Sequence, residues 1–146
     1  MEKFIAPKTL KENQILRYKI IDRAAKDKQL QALLREQCRR DAVFFIDSFC
    51  WAHDPRKNEG VSPFILYPRQ EQLVRLLDEW LAMSQKGEKV NVAIDKPRDV
   101  GATYTLMLWI LHKYLFTEFN ARIGSRKEDY VDKKGETDTL FHKLDF

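Results

Sequence analysis

Glycine and proline are scarce in this chain, with five of each among 146 residues, and their scarcity favours helices. Cysteine is scarcer still, because only Cys38 and Cys50 are present and they lie twelve positions apart. The sequence has no CxxC motif and no cluster of cysteine and histidine. These absences argue against a disulfide framework and against a zinc site.

Long apolar runs are also missing. The longest, Leu106–Leu111, is far too short to span a bilayer. The first residues, Met1–Phe4, lack the apolar core of a signal peptide. We therefore expect a protein of a reducing cytoplasm that does not associate with membranes.

The composition is that of a soluble globular chain, with 44% hydrophobic and 33% charged residues. Its length suits one modest domain with a real core. Lysine and arginine exceed aspartate and glutamate by 26 − 22 = 4, which makes the chain mildly basic. This balance is compatible with nucleic-acid binding, but ordinary surface charge is the better explanation from charge alone.

The first third of the sequence predicts helices. Thr9 and Glu12 have the spacing of a capping box, and Asp27 is a candidate cap for a second helix. Whether the segment forms two helices or one bent helix is open at this point. The aromatic stretch 41–51 predicts a core helix, and the polar loop 53–60 marks a boundary. We accordingly predict an N-terminal helical region over 1–62 and a second domain over 63–146.

The second part predicts an α/β fold. A helix is expected from Pro68 to a stop at Gly87, and another from about 102 to 116. The apolar run 90–94 and the segment 121–125 read as strands, and 137–144 as a last helix capped by Thr137 or Asp138. The strand–helix–strand order predicts a partial P-loop NTPase-like parallel sheet, preceded by the helical subdomain.

The turn between the first predicted strand and its helix resembles a phosphate-binding loop. In the P-loop pattern, Gly101 falls on the second glycine and Thr103 on the hydroxyl position. Ala102 stands where the lysine belongs, while Lys96 occupies the position of the first glycine. A lysine at the loop entrance is long enough to fold back over the phosphates, and Arg98 adds a second cation. On these residues alone, an ordinary tight turn is the simpler alternative.

Three motifs, taken in order, resemble the large terminase subunit of tailed bacteriophages, the ATPase motor that packages DNA into the prohead. They are Tyr67-Pro68-Arg69-Gln70, the loop 96–103 and the segment 124–132. The resemblance covers roughly residues 41 to 146 and includes the aromatic stretch 41–51 and Asp54-Pro55-Arg56. Each motif alone has low specificity, whereas their order and spacing together are much more specific.

The resemblance implies that the chain binds ATP with Mg²⁺ at this loop. It implies that Gln70 reads the adenine edge and that Lys96 does the work of the missing P-loop lysine. Arg98 would act on the γ-phosphate as the catalytic residue, and the Thr103 hydroxyl would face Mg²⁺. The other nucleotide-binding positions implied lie within the loop: Pro97, Asp99, Val100, Gly101 and Ala102.

The sequence also departs from the family. After Ser125 no apolar strand ends in the acidic pair that holds Mg²⁺ and activates water in terminases, and no nuclease pattern follows. We therefore expect a truncated ATPase segment that binds ATP weakly and hydrolyses it very slowly.

The resemblance further implies double-stranded DNA, the portal and the small terminase subunit as partners, in the cytoplasm of a bacterial host. An oligomer is expected only in the assembled motor. The alternative function is a non-catalytic interaction module, or a prophage remnant, that docks DNA, portal or small subunit.

Overall fold

The computed structural model describes residues 4–53, 60–98, 100–133, 135–136 and 139–144. The described chain is mostly helical. The helices and strands are α1 (Leu10–Lys26), α2 (Lys28–Arg40), α3 (Ala42–Phe49), β1 (Trp51–His53), β2 (Val61–Pro63), α4 (Pro68–Gln85) and α5 (Ala102–Phe116). Short 3₁₀ helices follow at Glu128–Tyr130 and Phe141–Leu144.

The predicted parallel sheet is wrong. Within the described residues, the strands form one two-stranded antiparallel sheet, in which Trp51 pairs with Pro63 and His53 with Val61. The segments 90–94 and 121–125, predicted as strands, belong to neither strand nor helix. The fold class is therefore helical with a small hairpin, and the partial P-loop NTPase-like architecture is not formed.

The physical reason is the lack of a pairing partner. A strand is stabilised by hydrogen bonds to its neighbour, and even two strands alone are marginal in water. Segment 90–94 has no such neighbour among the described residues, and Val92 and Ile94 are 43% and 39% exposed. An apolar run can thus indicate a strand from side-chain type without supplying the hydrogen-bonding edge that the strand needs.

The helix predictions fare better, and the structure resolves the question left open for the first third. Asp27 separates two helices, because its side chain accepts hydrogen bonds from the amides of Gln29 and Leu30 at the start of α2. Thr9 is the N-cap of α1 as expected, but its hydroxyl bonds the Glu12 carboxylate instead of a backbone amide. The helix starting at Pro68 and the one over 102–116 are confirmed.

Two predictions fall partly outside the described residues. The polar boundary loop is described only at its ends, since residues 54–59 lie outside the description. The predicted caps of the last helix, Thr137 and Asp138, also lie outside it, and the end of that segment is the 3₁₀ helix Phe141–Leu144.

The core lies where α3 packs between the other helices. Ile46 of α3, Val74 of α4 and Leu108 of α5 are almost fully buried. His112 of α5 packs against the rings of Phe45 and Phe116. Its Nε2 bonds the Cys38 carbonyl oxygen at 2.7 Å, and burial lowers the pKa of this imidazole. Both cysteines are buried as free thiols.

Arg17 connects α1 to the C-terminal end of α3. Its guanidinium is buried and donates hydrogen bonds to the carbonyl oxygens of Asp47 at 2.7 Å and Cys50 at 2.9 Å. It also lies over the Trp51 ring, 5.1 Å from the centroid. Burial lowers the pKa of Arg17 to about 10, so the group remains charged at neutral pH. This network fixes the start of the hairpin.

No helix in the described part of the chain has both the length and the apolar character to cross a bilayer.

Candidate functional site

The candidate site is the turn that leads into α5. Gly101 is the N-cap of this helix in a left-handed conformation, with φ of +69°. The first hydrogen bond of α5 runs from the Thr105 amide to the Gly101 carbonyl oxygen at 3.0 Å. The amides of Ala102 and Thr103 therefore precede the helical ladder, and the N-cap makes no side-chain hydrogen bond to them. This end of α5 is a cluster of donors at the positive pole of a helix.

Gln70 lies directly against this turn, although it is about thirty residues away in sequence. Its Oε1 accepts from the Tyr67 amide at 2.9 Å, within the capping box of α4. Its Nε2 donates to the Val100 carbonyl oxygen, also at 2.9 Å. Because one partner is a donor and the other an acceptor, the orientation of the amide is fixed. Gln70 thus joins the first turn of α4 to the entrance of α5.

Gly101 is required at this contact for two reasons. Its backbone has a positive φ, which residues with a Cβ adopt only with strain. A Cβ at this position would also lie 2.7 Å from Gln70 Nε2. The glycine therefore permits both the turn and the close approach of Gln70.

The buried Asp47 holds the segment that runs from Leu66 into the start of α4, just before Gln70. One carboxylate oxygen accepts from the Leu66 amide at 2.7 Å, and the other accepts from Lys8. Lys8 also pairs with Glu71 at 3.1 Å. Burial raises the pKa of Asp47, while the Lys8 ammonium and the Leu66 amide act in the opposite direction. Through Leu66 and Glu71, this network fixes the segment on which Gln70 stands.

An aromatic pair forms one wall of the turn. The rings of Phe64 and Tyr104 stack with centroids 5.8 Å apart. The Tyr104 hydroxyl donates to the His53 carbonyl oxygen at 3.2 Å, and the Lys143 ammonium lies 5.4 Å from the Tyr104 ring centroid. Phe64 and Tyr104 were not predicted as part of the site, because they are forty positions apart in sequence and neither belongs to a phosphate-binding pattern.

The predicted loop residues differ in their exposure. Lys96, Pro97, Arg98 and Val100 are exposed, Thr103 is half-buried and Ala102 is buried. Within the described ranges, neither Lys96 nor Arg98 has a hydrogen-bond or ion-pair partner. Asp99 lies outside the described residues. The structure thus brings Gln70, Gly101 and the first turn of α5 together, and Lys96 and Arg98 are exposed on the segment that precedes them.

The donor set fits a phosphate group. Backbone amides at a helix N-terminus and nearby cations are the groups that bind phosphate oxygens. For Mg²⁺ the chain offers chiefly the Thr103 hydroxyl, since the described residues contain no group of three or more His, Cys, Asp or Glu side chains that could hold a metal ion. Mg²⁺ commonly keeps several waters and binds through substrate phosphates, so a single protein oxygen is compatible with it.

Comparisons with family models, with curated proteins and with solved structures found no match to this chain.

Proposed function

We propose that the turn 96–103 and the first turn of α5 bind the phosphates of ATP together with Mg²⁺. The chain would then be a nucleotide-binding segment of a phage DNA-packaging motor of the terminase kind. One observation supports this most strongly. Gln70 and Gly101, which belong to separate motifs of the sequence resemblance, meet at the N-terminus of one helix. The proposal does not require the parallel sheet, because the donors belong to the helix and its turn.

In this proposal each group has a distinct task. The amides of Ala102 and Thr103 donate to phosphate oxygens, which the positive end of α5 attracts. Lys96 and Arg98 are exposed on the approach and neutralise the phosphate charge. Bound ATP and Mg²⁺ supply the phosphoryl group and the charge compensation of the metal.

Gln70 has two roles in this account. Its bonds to Tyr67 and Val100 hold the turn in place, and they leave one N–H and one oxygen lone pair of the amide without those partners. Gln70 is buried, at 8% exposure, so an adenine edge would contact these remaining groups through the small part of the side chain that is exposed. Nucleotide binding and turn geometry are therefore coupled through one side chain.

Hydrolysis by this chain alone is expected to be very slow. Phosphoryl transfer depends on positioning the attacking water and on neutralising charge. The sequence after Ser125 has no strand that ends in two acids, and such a pair performs these tasks in the family that the chain resembles. In the complete motor, double-stranded DNA, the portal and the small terminase subunit would be the partners.

Titration with a fluorescent ATP analogue and Mg²⁺ tests the proposal. Lys96→Ala should weaken binding roughly tenfold, because it removes a charge-assisted contact to phosphate. Lys89→Ala is the matched control, since Lys89 is an exposed lysine on the same connecting segment but outside the turn. Phosphate release should stay near the buffer rate for all three proteins.

Two results would contradict the proposal. Wild type and Lys96→Ala could bind with the same affinity, which would remove the phosphate role of Lys96. Alternatively, the wild type could fail to bind the analogue at any concentration up to millimolar. Rapid turnover by the isolated chain would contradict only the expectation of slow hydrolysis.

A further inference from the structure

Helix α1 has a second apolar face besides the one that packs on the core. Its core face carries Asn13, Arg17 and Ile20, all buried. A different stripe is open to solvent, with Leu10 48%, Ile15 45%, Tyr18 76% and Ile21 59% exposed. At 100° per residue these four side chains fall within an arc of about 140°.

The stripe has the spacing of a helix-packing seam. Leu10, Gln14, Tyr18, Ile21 and Ala25 follow one another at intervals of four, four, three and four residues. Side chains at such intervals lie one above the other on a helix and form the row into which a facing helix packs. Single exposed apolar residues are normal, whereas several apolar side chains along one helix face, here interrupted by Gln14, indicate an interaction surface.

The edge of the stripe is basic. The edge of the stripe that is farther from the core carries Lys19, Arg23 and Lys26, and Lys11 lies within the stripe. Four cations of this region stand against two acids, Glu12 and Asp22, and Lys26 pairs with Asp22 at 3.3 Å. An occupant of this surface therefore meets apolar side chains flanked by a net positive charge.

We propose that the α1 stripe is a docking site for an acidic amphipathic helix of another protein. The apolar row supplies the contact area, and the basic edge selects a partner with carboxylates beside its own apolar row. This inference concerns a face of α1 that carries no residue of the turn 96–103, so it is independent of nucleotide binding.

A second copy of this chain fits the surface poorly. In an antiparallel two-fold pair of α1 helices, each edge of the stripe lies against the same edge of the other copy. Lys19 and Arg23 of one copy would therefore face Lys19 and Arg23 of the other. The net charge of +4 on the whole chain adds to this repulsion. A membrane surface also fits less well, because Asp22 and Gln14 interrupt the apolar arc that would enter the lipid.

The test uses the full chain and a synthetic helical peptide of about three heptads with leucine at the a and d positions and glutamate beside them. Its affinity is measured by fluorescence anisotropy. A second peptide has the same apolar row with lysine in place of glutamate. We expect the acidic peptide to bind more tightly, and added salt to weaken its binding. Ile21→Glu should reduce the affinity about tenfold or more.

Tyr114→Glu is the matched control, because Tyr114 is 72% exposed on α5, away from the stripe. It should bind the acidic peptide like the wild type, and circular dichroism should show that both variants are folded. Lys19→Glu should reduce the preference for the acidic peptide over the basic one.

Several results would overturn the proposal. These are equal binding of the two peptides, equal loss in Ile21→Glu and Tyr114→Glu, or no binding by the wild type. Sedimentation showing a wild-type dimer that Ile21→Glu dissociates would assign the stripe to a second copy instead. Binding to vesicles of phosphatidylcholine and phosphatidylserine that Ile21→Glu abolishes, without peptide binding, would assign it to a membrane.

Discussion

At the scale of single residues, Gly101 and Gln70 constrain each other. The Gln70 bond to the Val100 carbonyl oxygen needs the backbone at Gly101 to come close and to carry no Cβ, whereas its bond to Tyr67 lies within the capping box of α4. The Tyr-Pro-x-Gln motif and the glycine of the turn are therefore explained together by packing, whatever ligand the turn binds. A side chain at position 101 would disturb both the turn and the amide.

Gly101→Ala should lower the free energy of unfolding by about 2–3 kcal/mol, because it combines a left-handed alanine with a clash against Gln70. Gly87→Ala is the matched control. Gly87 also has a positive φ, +90°, but a Cβ there would meet nothing within 4 Å. We expect it to cost about 1–2 kcal/mol in the same urea titration. Equal losses in the two variants would show that the contact with Gln70 contributes nothing.

The hydrogen bond between Gln70 and Val100 also shows which kind of contact cannot be predicted from the sequence. The resemblance singled out Gln70 and the loop, and both lie at the site. Their hydrogen bond joins a side chain to a backbone carbonyl across about thirty residues, and no periodicity encodes such a pair. Phe64 and Tyr104 were missed for the same reason, since their stacking depends on how the hairpin and α5 approach each other.

At the scale of elements, Asp78 joins α4 to α5. One of its carboxylate oxygens accepts from Trp109 Nε1 at 2.7 Å and from Lys113 Nζ at 2.6 Å. The Lys113 side chain is largely buried, and Asp78 is the carboxylate that pairs with its ammonium. The pair fixes the relative positions of two helices whose first turns meet at Gln70 and Gly101.

Asp78→Ala should destabilise the fold by about 2–4 kcal/mol, because it leaves a buried ammonium and an indole N–H unpaired. Asp22→Ala removes an exposed ion pair with Lys26 and should change stability by less than about 1 kcal/mol. Thermal unfolding followed by circular dichroism compares the two variants. A loss of similar size in both would mean that Lys113 finds water or another partner when Asp78 is absent.

The helices and strands also show which sequence patterns were sufficient to predict secondary structure. The helices are encoded locally, by caps such as Asp27, by Pro68 at the first turn of α4 and by apolar periodicity. The strand predictions over 90–94 and 121–125 relied on apolar character alone, and a strand also needs a paired edge. This difference explains why the helices α1 to α5 are confirmed while the parallel sheet is wrong; the predicted last helix appears only as the 3₁₀ helix Phe141–Leu144.

At the scale of the whole molecule, two surfaces are proposed to bind partners. One is the first turn of α5, preceded in the chain by the exposed Lys96 and Arg98, and the other is the apolar stripe of α1. Contacts within the helical core hold both surfaces in position. Arg17 anchors α1 on the end of α3, while Asp47 and Lys8 fix the corner that presents Gln70. Neither surface could be read from composition, since the charge balance alone is ordinary.

Phosphate binding at α5 is tested by following the backbone amide resonances of the isotope-labelled protein during titration with ATP and Mg²⁺. We expect saturable shifts at Ala102 and Thr103 and at the Gln70 side-chain amide, and much smaller shifts with adenosine, which has no phosphates. Shifts that cluster elsewhere on the chain, or shifts of equal size with adenosine, would contradict phosphate binding at the N-terminus of α5.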